Sequence, residues 1–102
     1  MIVPGDIAPR KDTPAELYVA VLSNTAHLRA ATGRVITCPF VPGELPEGTM
    51  ALVVPIGRPA GVLLPELVQW LPSSALDEAI GNVGAVALHE ATVIIGALVG
   101  QS

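Results

Sequence analysis

The hydrophobic pattern of this sequence changes its period once, near Gly84, and that change most constrains the fold. Upstream, short apolar runs are separated by Pro and Gly, and all ten Pro residues lie there; such interruptions keep strands short. Downstream, apolar residues recur at steps of three and four and share one helical face: Ala87, Ala91, Ile94, Ile95 and Leu98. The sequence therefore predicts many short strands followed by one helix of about 16 residues that ends at Gly100.

The segments before Gly84 are typical of a sheet built from short strands. Leu17 to Leu22 is a continuous apolar run, which indicates a strand buried on both faces. Residues 57–60 predict a hairpin turn between two further strands. The other predicted strands are Ile2 to Ile7, Arg34 to Phe40, Met50 to Ile56, Gly61 to Leu64 and Leu67 to Leu71. Loops are predicted over 8–15 and 42–49, and a short helical segment over 25–31.

Length and composition indicate one domain over residues 1–102. Hydrophobic residues make up 51% of the chain, yet only three residues are aromatic, so the core is expected to be aliphatic. An apolar excess in so small a domain favours a surface reserved for another chain. The single cysteine, Cys38, cannot form an internal disulfide or a cysteine-based zinc site. Because no signal-peptide pattern or membrane-length apolar run occurs, a cytoplasmic location is expected.

Charge is divided unevenly along the chain. The net charge is −4, and all five cations precede residue 59: Arg10, Lys11, Arg29, Arg34 and Arg58. Nucleic-acid binding requires clustered cations, so a site for RNA or DNA must draw on the N-terminal half. The acidic C-terminal half suits a basic partner instead.

Five segments carry a resemblance to a known family. In chain order they are Gly5-Asp6-Ile7, Val19 to Asn24, Val35 to Pro39, Leu64 to Leu76, and Ile80 to Val83 ahead of the terminal helix. Together they resemble the MazF/PemK/CcdB superfamily, the barrel-fold toxins of bacterial type II toxin–antitoxin systems. The resemblance implies a mainly β (α+β) fold, a small and partly open Src-homology-3-like barrel with a C-terminal α-helix. It also implies a homodimer, a groove near the dimer interface, and a cognate antitoxin that fills this groove.

The resemblance leaves three functions open. The ribonuclease branch has Arg-Pro where this chain has Leu17-Tyr18, and Thr or Ser where it has Phe40-Val41. The DNA gyrase-poisoning branch ends in Trp-Gly-Ile, whereas this chain ends in residues 98–102 with only Gly100 in common. A third possibility is a degenerate barrel that binds its antitoxin and regulates transcription. The leading hypothesis is a growth-arresting toxin that cleaves single-stranded RNA at specific sequences, without a metal or other cofactor.

Cleavage of RNA by its own 2′-hydroxyl needs a base for that proton and a cation for the charged phosphorane. Arg10 and Lys11 in the predicted 8–15 loop, and Thr37 before Pro39, are the catalytic candidates. Arg10 and Lys11, with Arg29 and Arg34, are also the nucleic-acid-binding candidates. The alternative for all four cations is a solvated position, beside Asp12 and Glu16 in the case of the first two.

The remaining conspicuous side chains have simpler interpretations. His27 is expected to be solvated on the short helix, in preference to acting as a general base. Trp70 is expected to be a core or interface anchor in preference to a platform for stacked bases. Ile94 and Leu98 on the terminal helix are the other interface candidates. Cys38, inside a predicted strand, is expected to be buried and unreactive.

Overall fold

The computed structural model describes residues 1–43 and 52–100. Most of the predicted 42–49 loop, the first residues of the strand predicted from Met50, and the Gln101-Ser102 tail lie outside the described residues. Within them the chain forms seven strands, two α-helices and two 3₁₀ turns. In chain order these are β1 Asp6–Pro9, β2 Tyr18–Val21, α1 Thr25–Arg29, β3 Arg34–Pro42, β4 Val54–Gly57, β5 Ala60–Leu63, the 3₁₀ turn Pro65–Leu67, β6 Gln69–Pro72, the 3₁₀ turn Ser73–Ala75, β7 Gly81–Asn82 and α2 Ala85–Leu98.

The strands form one antiparallel sheet in the order β4-β5-β3-β2-β1-β7, and β6 pairs with β3 off this path. The long strand β3 serves two neighbours, because its first half pairs with β6 and its second half with β5. Beyond β6, the Lys11 amide donates to the Ala75 carbonyl at 2.9 Å, and Arg10 bridges to Leu76. The sheet therefore curls until β6 approaches the end of β1. This curled sheet with its C-terminal helix confirms the predicted partly open barrel.

The core lies on both faces of the central strands. Ile7, Ala20 and Cys38 belong to the cluster covered by α2, whereas Ala8 and Val19 belong to a second cluster inside the curl, with Leu71 and Leu76. Since side chains alternate along a strand, β1 and β2 must be apolar at successive positions. The prediction of a strand buried on both faces is confirmed over residues 19–22. It was wrong at Leu17, which is 45% exposed ahead of β2.

Three other predicted strands differ from the structure at their ends. The first strand begins at Asp6, because Val3 to Asp6 form a turn in which the Asp6 carboxylate accepts the Val3 amide at 2.9 Å. Ala8 and Pro9, predicted to lie in a loop, complete that strand. The strand predicted from Leu67 begins at Gln69, since Pro65 initiates a 3₁₀ turn. The fourth strand begins at Val54, so the prediction was wrong at Leu52 and Val53, which precede the strand.

Asn82 joins the two ends of the chain. Its side-chain amide donates to the Pro4 carbonyl and to the Asp6 carboxylate, both at 3.0 Å. Its side-chain oxygen accepts the Gly84 amide at 2.8 Å, at the residue that precedes α2. The Ile80 to Val83 segment therefore fixes the start of the helix against the N-terminal turn.

The terminal helix α2 packs against the sheet through one face, as predicted. Ala91 is fully buried, and Ala87, Ile94 and Ile95 are half-buried against the core cluster on that side of the sheet. The helix contains 14 residues and ends at Leu98, so it is two residues shorter than predicted. Leu98 itself is 53% exposed beyond the edge of the core.

Candidate functional site

A cleft of about 230 Å³ opens where the end of β1, the start of β2, the second half of β3 and β6 approach one another. Its lining combines an apolar floor with one cation, one carboxylate, one phenol and one amide. The lining residues are Arg10, Glu16, Leu17, Tyr18, Val19, Pro39, Phe40, Val41, Pro42 and Gln69. A mostly apolar cleft with a few convergent polar groups is the usual form of a binding or catalytic site.

Strand pairing brings these polar groups together. Pro9 pairs with Tyr18 across β1 and β2, so Arg10 follows β1 close to the beginning of β2. Tyr18 in turn pairs with Phe40 on β3, and Thr37 on the same strand pairs with Gln69 on β6. The register of three strand pairs thus places residues 10, 18 and 69 around one opening.

Arg10 is held in place by Asp12. Its Nε and Nη2 atoms donate to the two Asp12 carboxylate oxygens at 2.9 and 2.8 Å, a bidentate pair. The hydrogen bond to Asp12 raises the pKa of Arg10, and the same bond lowers the pKa of Asp12. The arginine therefore stays charged with a fixed orientation, and its Nη1 group is free of this pair and can donate to a phosphate oxygen.

Glu16 and Tyr18 form the second polar pair of the cleft. The Tyr18 hydroxyl donates to Glu16 Oε1 at 2.9 Å, and both residues precede or begin β2. This hydrogen bond to Glu16 raises the pKa of Tyr18. Tyr18 therefore remains a protonated donor at neutral pH, and the exposed Glu16 carboxylate is oriented as an acceptor for a proton.

The structure separates the three catalytic candidates that the sequence suggested. Arg10 lines the cleft, whereas Lys11 lines a different groove together with Asp77 and Glu78. Thr37 is fully buried, and its hydroxyl donates to the Gln69 carbonyl at 3.1 Å. Thr37 therefore supports the strand that carries Gln69, while its own hydroxyl does not reach the cleft.

The other candidate residues lie outside the cleft. Arg29 at the end of α1 and Arg34 at the start of β3 are both exposed. Trp70 is 58% exposed, so the expectation that it anchors the core was wrong, and its role as an interface anchor stays a prediction. Ile94 on α2 is half-buried against the core, and Leu98 is exposed near Val68 and Val99 in a groove of about 320 Å³. Their interface roles also stay predictions.

The predictions for Cys38 and His27 have different outcomes. Cys38 is fully buried, as predicted, and burial raises the pKa of its thiol to about 12. His27 is half-buried and its Nδ1 lies 2.6 Å from the Ser23 hydroxyl, so the expectation of a solvated ring was wrong. Ser23 and His27 are four residues apart in the sequence, but nothing in the sequence indicates that the His27 ring also meets the Trp70 ring.

Sequence reasoning missed Glu16, Tyr18 and Gln69. A signal for Tyr18 was available, because it occupies the position where the resemblance expects part of an Arg-Pro pair. Glu16 could have been found from Tyr18, because it lies two residues before Tyr18 and such positions are on the same side of an extended chain. Gln69 could not, because only the β3–β6 register brings it to the cleft.

Neither a metal centre nor a membrane segment is found in residues 1–43 and 52–100. No group of three or more His, Cys, Asp and Glu residues in that part of the chain converges as a set of metal ligands. None of its helices combines the length and the apolar character needed to cross a membrane.

The curled sheet with a C-terminal helix is the fold of MazF-type toxins. An endoribonuclease solved in complex with its cognate antitoxin, from a mycobacterial species, superposes with a TM-score of 0.77 at 15% identity, over 95% of this chain and 93% of that one. A MazE–MazF structure from Deinococcus radiodurans gives a TM-score of 0.78 at 23% identity, over 99% of this chain and 98% of that one. At such identities the likeness establishes the fold.

Sequence comparison establishes the family. The profile of the type II toxin–antitoxin system toxin Rv0299 family matches residues 5–98. Toxin Rv0299 of Mycobacterium tuberculosis is 60% identical over 98 residues, which span 96% of this chain and 98% of that protein. The chain therefore belongs to the Rv0299 family of type II toxins.

Proposed function

We propose that this toxin arrests growth by cleaving single-stranded RNA at specific sequences, with the Arg10 cleft as its active site. The observation that carries the proposal is the convergence of the Arg10 guanidinium, the Glu16–Tyr18 pair and Gln69 around one opening. A cation, a carboxylate and neutral donors are the groups that 2′-hydroxyl attack on a phosphodiester requires. The fold shared with solved endoribonucleases supports the same reaction class.

In the proposed reaction, Glu16 accepts the proton of the 2′-hydroxyl as the 2′-oxygen forms a bond to phosphorus. The bond from phosphorus to the 5′-oxygen breaks, and a proton from water neutralises that leaving oxygen, while the Tyr18 hydroxyl keeps Glu16 oriented. Arg10, oriented by Asp12, stabilises the charge of the phosphorane. The products are a 2′,3′-cyclic phosphate and a 5′-hydroxyl, and no cofactor takes part.

The other sequence-based candidates have supporting roles in this proposal. Thr37 holds the Gln69 backbone through its hydroxyl, so it positions the amide at the edge of the cleft. Lys11 lies one residue from Arg10 and would bind RNA that extends past the cleft into the neighbouring groove. Arg29 and Arg34 would contact phosphates farther along the RNA strand.

We also propose that the toxin forms a cytoplasmic homodimer that is inhibited by a cognate antitoxin. The neighbours of the same fold are a toxin–antitoxin complex and a MazE–MazF complex, which supports such a partner. Large exposed apolar residues on and around α2, among them Val86, Val93 and Val99, supply surface for a second chain. The acidic C-terminal half favours basic residues on the antitoxin.

The test is cleavage of a fluorescently labelled single-stranded RNA of mixed sequence by the purified protein in the presence of EDTA. Arg10→Ala should lower the cleavage rate by about a hundredfold or more, the magnitude expected for loss of a charge-stabilising donor. Tyr18→Phe removes only the hydroxyl and should lower the rate by a smaller factor. Arg58→Ala is the matched control, because this cation lies in the β4–β5 turn and should leave the rate unchanged.

Two outcomes would contradict the proposal. One is intact RNA after incubation with wild-type protein that is folded and arrests growth when expressed. The other is equal cleavage by the Arg10→Ala and wild-type proteins. Accumulation of cleaved DNA–gyrase complexes on expression, with cellular RNA intact, would favour the gyrase-poisoning alternative, and an absence of growth arrest would favour the regulatory barrel.

A further inference from the structure

The single tryptophan of the chain, Trp70, lies on the surface of β6 beside a histidine. Its side chain is 58% exposed, and its ring meets the His27 ring edge to face, with centroids 5.4 Å apart and an interplanar angle of 75°. Exposing a large aromatic side chain to water is unfavourable, so a partly exposed and orientated indole is a candidate contact for a ligand.

A buried serine fixes the histidine that supports this indole. Ser23 is 1% exposed, and its hydroxyl oxygen accepts the Ile36 amide at 2.8 Å. The same hydroxyl lies 2.6 Å from His27 Nδ1, and we assign its proton to that contact, which places the ring proton on Nε2. The Asn24 side chain caps the helix by accepting the His27 amide at 2.8 Å. His27 is therefore held at both its backbone and its ring, and Trp70 rests against a rigid neighbour.

Strand register places a cation on the same face as the indole. Trp70 pairs with Ile36, and Arg34 pairs with Pro72. Cross-strand partners share a face, and so do residues two apart on one strand. Arg34 and Trp70 are thus diagonal neighbours on this face, and both are exposed.

The elements that form this face contain no negatively charged residue. Residues 17–43, which contain β2, α1 and β3, include Arg29 and Arg34 but no Asp or Glu. Residues 67–76, which contain β6 and the following 3₁₀ turn, have no charged residue at all. In a protein with a net charge of −4, this face therefore has the charge complementary to a polyanion.

The backbone next to this face leads to the Arg10–Lys11 segment. The Ser73 amide donates to the Gly33 carbonyl at 2.9 Å, and two residues later the Ala75 carbonyl accepts the Lys11 amide at 2.9 Å. One 3₁₀ turn of about 6 Å therefore separates the Arg34 end of β3 from the Arg10–Lys11 segment. Gln69, which lines the cleft, precedes Trp70 on β6, so the two side chains point to opposite faces of that strand and the indole lies outside the cleft.

From these observations we propose that Trp70, backed by His27 and flanked by Arg34, is a stacking subsite for a base of single-stranded RNA outside the Arg10 cleft. Stacking on an exposed indole beside a cation is the way proteins hold unpaired bases. This inference rests on the proposed function, since the ligand is a nucleotide of the same RNA that enters the cleft. The subsite would bind that nucleotide while cleavage takes place elsewhere.

The test uses Trp70 as its own reporter, because the chain contains no other tryptophan. A single-stranded 2′-O-methyl oligonucleotide of mixed sequence, which lacks the attacking hydroxyl, is titrated into the full-length protein while indole fluorescence is followed. Stacking should quench the fluorescence to a saturating value. By fluorescence anisotropy of a labelled oligonucleotide, Trp70→Ala should weaken binding about tenfold.

Variants of two cations distinguish binding of the oligonucleotide at this face from general electrostatic attraction to the protein. Arg34→Gln should weaken binding and reduce the slope of log affinity against log salt by about one. Arg58→Gln, which removes the same charge in the β4–β5 turn, should change neither. Circular dichroism of the Trp70→Ala and Trp70→Phe proteins confirms folding, and Trp70→Phe should retain part of the affinity because it keeps an aromatic face.

The outcomes distinguish this inference from the proposed reaction. Unquenched fluorescence together with wild-type affinity of Trp70→Ala would overturn the subsite even if the wild-type protein cleaves RNA. Quenching by an RNA that carries its 2′-hydroxyls, with no cleavage of that RNA, would support the subsite while contradicting the cleavage mechanism. Two results together would overturn the subsite by showing that a second copy covers Trp70: a blue shift of the wild-type indole emission as the protein concentration rises without RNA, and loss of the dimer in Trp70→Ala by sedimentation equilibrium.

Discussion

Burial decides the chemistry of the single thiol, Cys38, on β3. The side chain has no exposed surface and lies in the cluster that α2 covers. Removing the thiolate from water raises the pKa of Cys38 from 9.0 to about 12. The folded protein thus keeps this proton in a pH range where the unfolded chain releases it.

We predict that this difference lowers the free energy of unfolding at alkaline pH. Below about pH 9 the thiol is protonated in both states, whereas between about 9 and about 12 only the unfolded chain loses the proton. Stability should fall over that range by about 1.4 kcal/mol for each pH unit on account of this group. Guanidinium denaturation at about pH 8 and about pH 10.5 measures the effect.

The control for the alkaline prediction is Cys38→Ala, which lacks the titrating group but retains the other ionisable side chains. The loss of stability between the two pH values should be smaller in this variant than in the wild type by about 2 kcal/mol. An equal loss in both proteins would show that Cys38 ionises alike in the folded and unfolded states.

At the scale of single elements, the β4–β5 hairpin depends on a close approach that requires glycine. A Cβ at Gly61 would lie 2.5 Å from Phe40 Cζ and 2.6 Å from the Val41 carbonyl oxygen. Gly61 pairs with Pro42 at the end of β3, so the backbones cannot separate without breaking that register. In the same hairpin a Cβ at Gly57 would meet nothing within 4 Å.

We therefore predict opposite results for two Gly→Ala substitutions in one hairpin. Gly61→Ala should lower the free energy of unfolding by about 3 kcal/mol or more, because it overpacks a site where a carbonyl blocks relaxation. Gly57→Ala should change it by less than about 1 kcal/mol. Urea denaturation of the two proteins provides the comparison, and equal midpoints would contradict the predicted contact.

The same elements show what local sequence could and could not predict. The apolar runs of β2 and β3 and the three- and four-residue spacing of α2 predicted these elements, because each pattern is set by local geometry. The start of β1 was misplaced, since the Asp6 side chain closes a turn that competes with a strand. The start of β6 was misplaced because Pro65 favours a 3₁₀ turn.

The candidate site was harder to predict than the fold for a related reason. Arg10 and Lys11 are adjacent in sequence, yet they line different depressions, because successive side chains of an extended chain point to opposite sides. Gln69 reaches the cleft across 59 positions of sequence (69 − 10) through the β3–β6 register. A motif at fixed spacing cannot record such a contact, so the cation was found and its neighbours were not.

At the scale of the whole molecule, an excess of exposed apolar surface is concentrated around the two ends of α2. Near its C-terminus lie Leu67, Leu98 and Val99, exposed by 58%, 53% and 62%. Leu98 and Val99 line a groove with Pro65, Glu66 and Val68, next to the turn before β6. Near its N-terminus, Val86 is 75% exposed beside a separate groove that contains Glu90 and Arg58. Among the residues that the structure describes, the C-terminal groove is mostly apolar, as an interface centre is, with Glu66 as its one charged lining residue, whereas the N-terminal groove has two charged residues, Arg58 and Glu90.

This difference predicts where the proposed homodimer is held together. Leu98→Glu should weaken dimerisation about tenfold or more, because it places a charge in the apolar centre of the contact. It should leave the urea midpoint of the isolated subunit nearly unchanged, since more than half of Leu98 is exposed. Ile94→Glu cannot serve the same purpose, because Ile94 packs against the core and its replacement would lower stability directly.

Sedimentation equilibrium of the wild-type, Leu98→Glu and Val86→Glu proteins measures which end of α2 forms the dimer contact. Val86→Glu is the matched control, because it introduces the same charge at the other end of the helix. The C-terminal contact requires that Leu98→Glu sediment as a monomer at concentrations where Val86→Glu is still dimeric. The reverse result would place the interface at the N-terminal end of α2, where Val86 and Val83 line the other groove. If both variants dimerise like the wild type, the two copies must meet through a face other than this helix, and the apolar surface around Leu98 is left for the antitoxin.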